Sequence, residues 1–199
     1  LCMSNFPDVG LDDRWILSHR SPKNQVDEHI PYAFLPEEER AASGAIESVA
    51  TLFLTNKECP FRCLMCDLWK NTTDEKVKTG SIPAQIAYAL DRLPATKHIK
   101  LYNSGNFFDT KAIPPEDYEA IASLLDPFET VIIECHPKLI NDRCLTFRDM
   151  IKGRLEVAIG LETAHPDVLD KLNKRMSLDE FSQSVRFLND HGIPSRAFI

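Results

Sequence analysis

Cys59, Cys63 and Cys66 fall within eight residues, spaced C-x3-C-x2-C, shortly after an apolar run at 49–55. Three thiolates on one short loop can converge on one metal centre. Cysteine thiolate is the usual protein ligand of iron–sulfur clusters, and a cubane held by only three cysteines keeps one iron without a protein ligand. Structural zinc would instead demand a fourth nitrogen or sulfur. No Cys or His lies within twenty residues on either side of the triplet, so any fourth ligand must come from elsewhere in the fold. An iron–sulfur site, a zinc loop and three unrelated reduced thiols are the readings open at this point.

The elements that must position this loop follow from hydrophobic periodicity. The run at 49–55 predicts a first strand. Ile82, Ile86, Leu90 and Leu93 recur at helical spacing and predict a helix from 81 to about 93. A second strand is predicted at 98–102, then a helix opened by Pro114-Pro115 and ending before Pro127. The β-branched segment 130–134 predicts a third strand. A short helix at 142–151, a strand at 155–161 and a helix at 166–172 follow. Ser177-Leu-Asp-Glu180 has the capping-box pattern and opens a helix to about His191, which Gly192 ends; 195–199 begins a fifth strand. Strands alternating with helices imply parallel pairing, so the fold class expected is α/β, a partial (β/α) TIM-like barrel over residues 49–199. Its fifth strand would leave an unpaired edge.

In parallel α/β architectures the chemistry lies at the carboxyl ends of the strands. The second strand is followed by Ser104-Gly105-Asn106, where Gly105 would let a backbone approach a ligand and its neighbours supply donors. The third ends in Glu134, a carboxylate that needs a partner if buried. Cys135 and His136 follow it and point to opposite faces, as structural or substrate-side groups. The fourth ends in Gly160-Leu161-Glu162. Lys100, Asp109 and Lys138 are expected to be solvated.

The C-x3-C-x2-C loop after a first strand resembles the signature of the radical S-adenosylmethionine (SAM) superfamily. The resemblance implies a 4Fe-4S cluster on Cys59, Cys63 and Cys66 whose open iron chelates SAM, and an electron donor such as flavodoxin or ferredoxin. Reductive cleavage of SAM would then yield a 5′-deoxyadenosyl radical. Met65 stands where many members carry an aromatic residue, and its thioether would make the same apolar contact near the adenine. The resemblance places Ser104, Gly105 and Asn106 at the methionine end of SAM, although that segment is usually Gly-Gly-Glu-like. It puts Glu134 and Glu162 on the ribose. Lys171-Leu-Asn-Lys-Arg175 resembles an Asn-x-Arg segment, which would give Arg175 the SAM carboxylate through its planar fork. The segments 100–109, 159–163 and 172–174 look most like the radical SAM subunit of archaeosine synthase and its bacterial relatives. A modified tRNA nucleoside or a small molecule is the substrate so implied.

The 199 residues suffice for one sizeable domain, beginning at Leu1 and ending within the apolar Ala197-Phe-Ile199, as a piece of a longer protein would. No apolar run reaches the about eighteen residues of a membrane span. The triplet is too tight for a secreted disulfide framework, and Cys2, Cys135 and Cys144 lie in unrelated settings, so a reducing cytoplasm is expected. A net charge of −7 argues against a surface that coats nucleic acid, while leaving room for a local basic patch. Residues 1–48 read as an irregular, Pro-punctuated N-terminal extension with a short helix at 36–42. Its Phe6, Trp15, Tyr32 and Phe34 would be packing anchors, and no activity follows from it. Two rival functions remain: a zinc-stapled binding module without catalysis, with His136 or Cys135 as fourth ligand, and a barrel enzyme using acid–base chemistry through Glu134, Glu162 and His136.

Overall fold

The structure, a computed structural model, describes residues 11–41 and 43–199; Cys2, Phe6 and Ala42 lie outside them. In chain order the elements are α1 (Asp13–Ser18), β1 (Ala33–Arg40), β2 (Ile46–Phe53), α2 (Ser81–Leu90), β3 (His98–Tyr102), α3 (Tyr118–Leu124), β4 (Thr130–Glu134), α4 (Asp142–Met150), β5 (Arg154–Gly160), α5 (Pro166–Lys171), α6 (Leu178–Asp190) and β6 (Ser195–Phe198). Six strands form one sheet in sequence order, β1 antiparallel to β2 and every later pair parallel. The fold is α/β, and the sheet is open, with β1 and β6 at its edges.

Alternation along each strand divides two environments. Ala50 and Leu52, Ile99 and Leu101, Val131 and Ile133, and Leu155, Val157 and Ile159 enter the core shared with the helices. That core closes around Phe107, Phe108 and Phe147, all fully buried. Their partners in the alternation, among them Phe53, Tyr102, Glu134, Ala158 and Gly160, face the other side of the sheet and line one cleft. The period of two thus separates packing residues from chemical ones.

The sheet is curled. Arg196 of β6 reaches Glu39 of β1 at 3.2 Å, although these strands are its opposite edges. Arg196 also pairs with Glu156, and Lys100 of β3 pairs with Glu37 (3.0 Å) and Glu39. Lys100 is therefore not solvated: it is 4% exposed and held by two carboxylates. Asp109 accepts from the Lys111 N–H in an exposed turn, and Lys138 pairs with Glu180.

The N-terminal extension is not irregular throughout. Of the helix expected at 36–42, residues 36–40 instead belong to β1, where Glu37 and Glu39 share the inward face and Glu38 turns outward. Pro36 is tolerated because β1 is an edge strand, which can lack one ladder donor. The first core strand begins at Ile46, so the division expected between 48 and 49 falls inside β2. Among the described residues no helix is long and apolar enough to cross a membrane.

Candidate metal and cofactor site

The cysteine loop leaves β2 through a braced neck. Gln85 of α2 accepts from the Thr55 N–H at 2.7 Å and donates to the Thr55 carbonyl at 2.7 Å and the Glu28 carbonyl at 2.8 Å. Lys57 bridges Thr73, and the Glu58 N–H donates to Thr73 while the Thr73 N–H donates to Asn56. Everything between, including the three cysteines, is an excursion whose ends are fastened together.

Cys59, Cys63 and Cys66 line one cleft of about 320 Å³ at the carboxyl ends of β2 to β5. Burial pushes the Cys59 thiol up to about 12, and it also raises Cys63 and Cys66. Buried thiols crowded together stay protonated unless a cation meets them, which is what a metal centre provides. Among the described residues, no three His, Cys, Asp or Glu side chains are already drawn to a common metal point. What the loop offers is three thiols lining the same cleft.

The strand ends bring polar groups to the same cleft. Asn106 donates through Nδ2 to Cys59 Sγ at 3.2 Å and accepts the His136 N–H at 2.6 Å, joining the cysteine loop to β4. Glu134 accepts from the Asn103 N–H at 2.6 Å and the Gly105 N–H at 3.4 Å, which fastens the Ser104-Gly105-Asn106 loop. Desolvation pushes its carboxyl up to about 7. Against the protein itself Gly105 is not crowded, since a Cβ there would sit 3.5 Å from Cys59 Cβ, an ordinary contact. Ser104 carries the left-handed backbone instead, and its hydroxyl lies 3.0 Å from that of Tyr32.

Glu162, also left-handed, accepts from Lys174 Nζ at 2.8 Å, and both line the cleft. Gly160 makes room for this pair, since a Cβ would come 2.5 Å from Glu162 Oε1 and 2.6 Å from Lys174 Nζ. Arg175 is not brought into the cleft; it is an exposed side chain paired with Asp13. The cation facing the cysteines is Lys174, 7% exposed. Met65 stands at the mouth, 44% exposed.

His136 stacks on Phe61 at 3.6 Å between ring centroids. Its Nε2 lies 2.9 Å from the Lys174 carbonyl and its Nδ1 accepts from the Lys138 N–H at 3.2 Å. Burial pushes it down to about 4, so it is a neutral imidazole with both nitrogens engaged. Cys135 is enclosed beside Cys144, and burial raises it well above the ordinary thiol value.

Sequence reasoning missed one wall of the cleft. Tyr32, Phe53, Tyr102 and Phe198 make a chain of ring contacts at 5.6, 5.9 and 6.1 Å. Tyr32 is thus a cleft residue rather than only a packing anchor. Alternation on β2 and β3 marks Phe53 and Tyr102 as facing away from the core, but Tyr32 carries no comparable signal.

The three cysteines are the donor set of a three-cysteine cluster; both ring nitrogens of His136 are engaged, so a closed zinc site would have to take its fourth ligand from Cys135 or a carboxylate. Beside the sulfurs stand two carboxylates and one ammonium, groups complementary to a ligand carrying an amine, a carboxylate and a diol.

No protein-family model matches the chain. An uncharacterized protein of Methanocaldococcus jannaschii is 22% identical over 196 residues, covering 91% of this chain and 54% of that protein. The archaeosine synthase subunit beta of Thermococcus kodakarensis is 25% identical over 146 residues, covering 69% of this chain and 45% of the relative. The chain spans about half the length of these curated relatives and is distantly similar to both.

Proposed function

We propose that this chain carries the core of a radical SAM enzyme whose substrate is a modified tRNA nucleoside. One observation supports the reading above the rest: three cysteines share a cleft with Glu134, Glu162 and Lys174. The distant similarity to a subunit of archaeosine synthase supports the substrate class. An electron donor such as flavodoxin or ferredoxin completes the proposal.

Cys59, Cys63 and Cys66 would hold a 4Fe-4S cluster, and the bound cluster and SAM would supply a 5′-deoxyadenosyl radical that abstracts hydrogen from the substrate. The chain's own residues bind and orient. Lys174, kept in the cleft by Glu162, would meet the SAM carboxylate as a point charge rather than as a planar fork. Sharing that ammonium frees Glu162 toward the ribose, with Glu134 beside it. The Ser104–Asn106 loop, held from behind by Glu134, would face the amino group. Met65 would cover the adenine at the mouth. With these groups bound, the aromatic wall would keep water from the space between, which would strengthen each of these electrostatic contacts.

The test is to reconstitute the protein with iron and sulfide without oxygen, then add SAM and dithionite and measure 5′-deoxyadenosine. Brown protein that forms it, with a Cys63→Ala variant that does neither, is expected. Colourless protein holding stoichiometric zinc and leaving SAM intact would overturn the reading in favour of a zinc module.

A further inference from the structure

The described residues include five non-glycine positions with left-handed backbone: Arg62, Ser104, Glu162, Asn173 and Arg175. Such conformations cost free energy and persist only where the surroundings over-determine them. Three of the five send their side chains to one carboxylate. Asp13 of α1 accepts from Arg62 Nη1 at 2.9 Å, from Asn173 Nδ2 at 3.1 Å and from Arg175 Nη2. Arg62 immediately precedes Cys63, and Asn173 and Arg175 flank Lys174.

The two turns so gathered also touch each other. Asn173 Nδ2 donates to the Arg62 carbonyl at 3.1 Å, and the Leu64 N–H donates to the Leu172 carbonyl at 2.9 Å. A second tie lies one step earlier in the loop, where Glu58, the neighbour of Cys59, is held by Arg20 at 2.6 Å and Lys23 at 3.0 Å. The residues preceding Cys59 and Cys63 are therefore both anchored to the segment before β1. Partly exposed ion pairs add little to global stability. Their convergence on strained turns gives them a different effect, which is on geometry.

We propose that Asp13 is a positioning residue that sets the cysteine loop against the Lys174 turn, making the N-terminal segment part of the binding site. The cofactor half of this statement rests on the function proposed above; the coupling of the two turns does not.

The test therefore starts on the full chain without cluster or SAM. Hydrogen exchange is compared between wild type and Asp13→Ala at residues 57–68 and 171–176. Both segments should exchange faster together, while β3 and β4 stay unchanged. Asp13→Asn, of equal volume, should loosen the same pair and guards against a folding defect. Glycine adopts left-handed backbone without an anchor, so adding Arg175→Gly to Asp13→Ala should restore protection at 171–176. On reconstituted protein, Asp13→Ala should bind SAM about tenfold more weakly at unchanged iron content, and Arg175→Gly should recover part of that loss. Unaltered exchange at either segment, loosening confined to α1, or no recovery by Arg175→Gly would overturn the proposal. If the wild-type chain binds no SAM, the function falls and the exchange comparison alone decides the role of Asp13.

Discussion

Lys174 and Arg175 are adjacent, and only one of them faces the cysteines. The resemblance to an Asn-x-Arg segment made Arg175 the candidate; left-handed backbone at Asn173 and Arg175, which no side-chain pattern announces, accompanies Lys174 in the cleft instead. Lys174→Met should weaken SAM binding about tenfold or more by removing the buried cation, whereas Arg175→Gly alone should change it less; equilibrium binding compares the two. Glu134 gives a pH signature. Burial raises its carboxyl from an ordinary 4.5 to about 7, so the folded chain holds a proton that the unfolded chain has released between those values. Stability of the cofactor-free protein should therefore fall as pH rises from 4.5 to 7 and level off above. Glu134→Gln should flatten that slope in denaturant titrations. The cysteine triplet and both strand-end carboxylates were legible because type and spacing suffice for them. Lys174 and Tyr32 were not, because nothing local states where their side chains point.

At the scale of elements, the five parallel strands of the core were readable from short apolar runs and β-branched composition, with ends displaced by up to three residues. β1 was not. Pro36 followed by three acids suggests a helix start, and only the inward ion pairs of Glu37 and Glu39 turn the segment into an edge strand. Glu37 is held below the ordinary carboxylate range by its bond from Thr51, with Lys100 adding to this. For Glu39 burial pushes upward, yet the bonds from Lys100 and Arg196 outweigh it. Their stabilisation is full above 4.5 and lost as pH falls through the lowered values. Acid unfolding followed by circular dichroism should show this loss, and Lys100→Met should make it shallower. That variant should cost about 2 kcal/mol, less than the roughly 3–5 of a fully buried pair, because the carboxylates remain 35% and 33% exposed. Phe147 of α4, by contrast, packs against Phe107, Phe108 and Tyr118 with no exposure. Phe147→Ala should cost about 3–5 kcal/mol in urea unfolding through the cavity it leaves.

The whole molecule is a curled sheet that keeps its packed core on one side and its chemistry on the other. That division follows the alternation of side chains along the strands, while the curl rests on Arg196 meeting Glu39 across 157 positions of sequence. The clasp at the base of the cysteine loop carries a consequence for how the protein is made. Many small metal domains are unstructured until the ion arrives, because their ligands have no other reason to meet. Here Gln85 and the Lys57–Thr73 bridge close the loop with protein groups, and none of the three loop cysteines belongs to the core beneath. With the proposed cluster, folding and loading would then be separate events: the chain would mature first and receive its inorganic cargo as a finished receptacle.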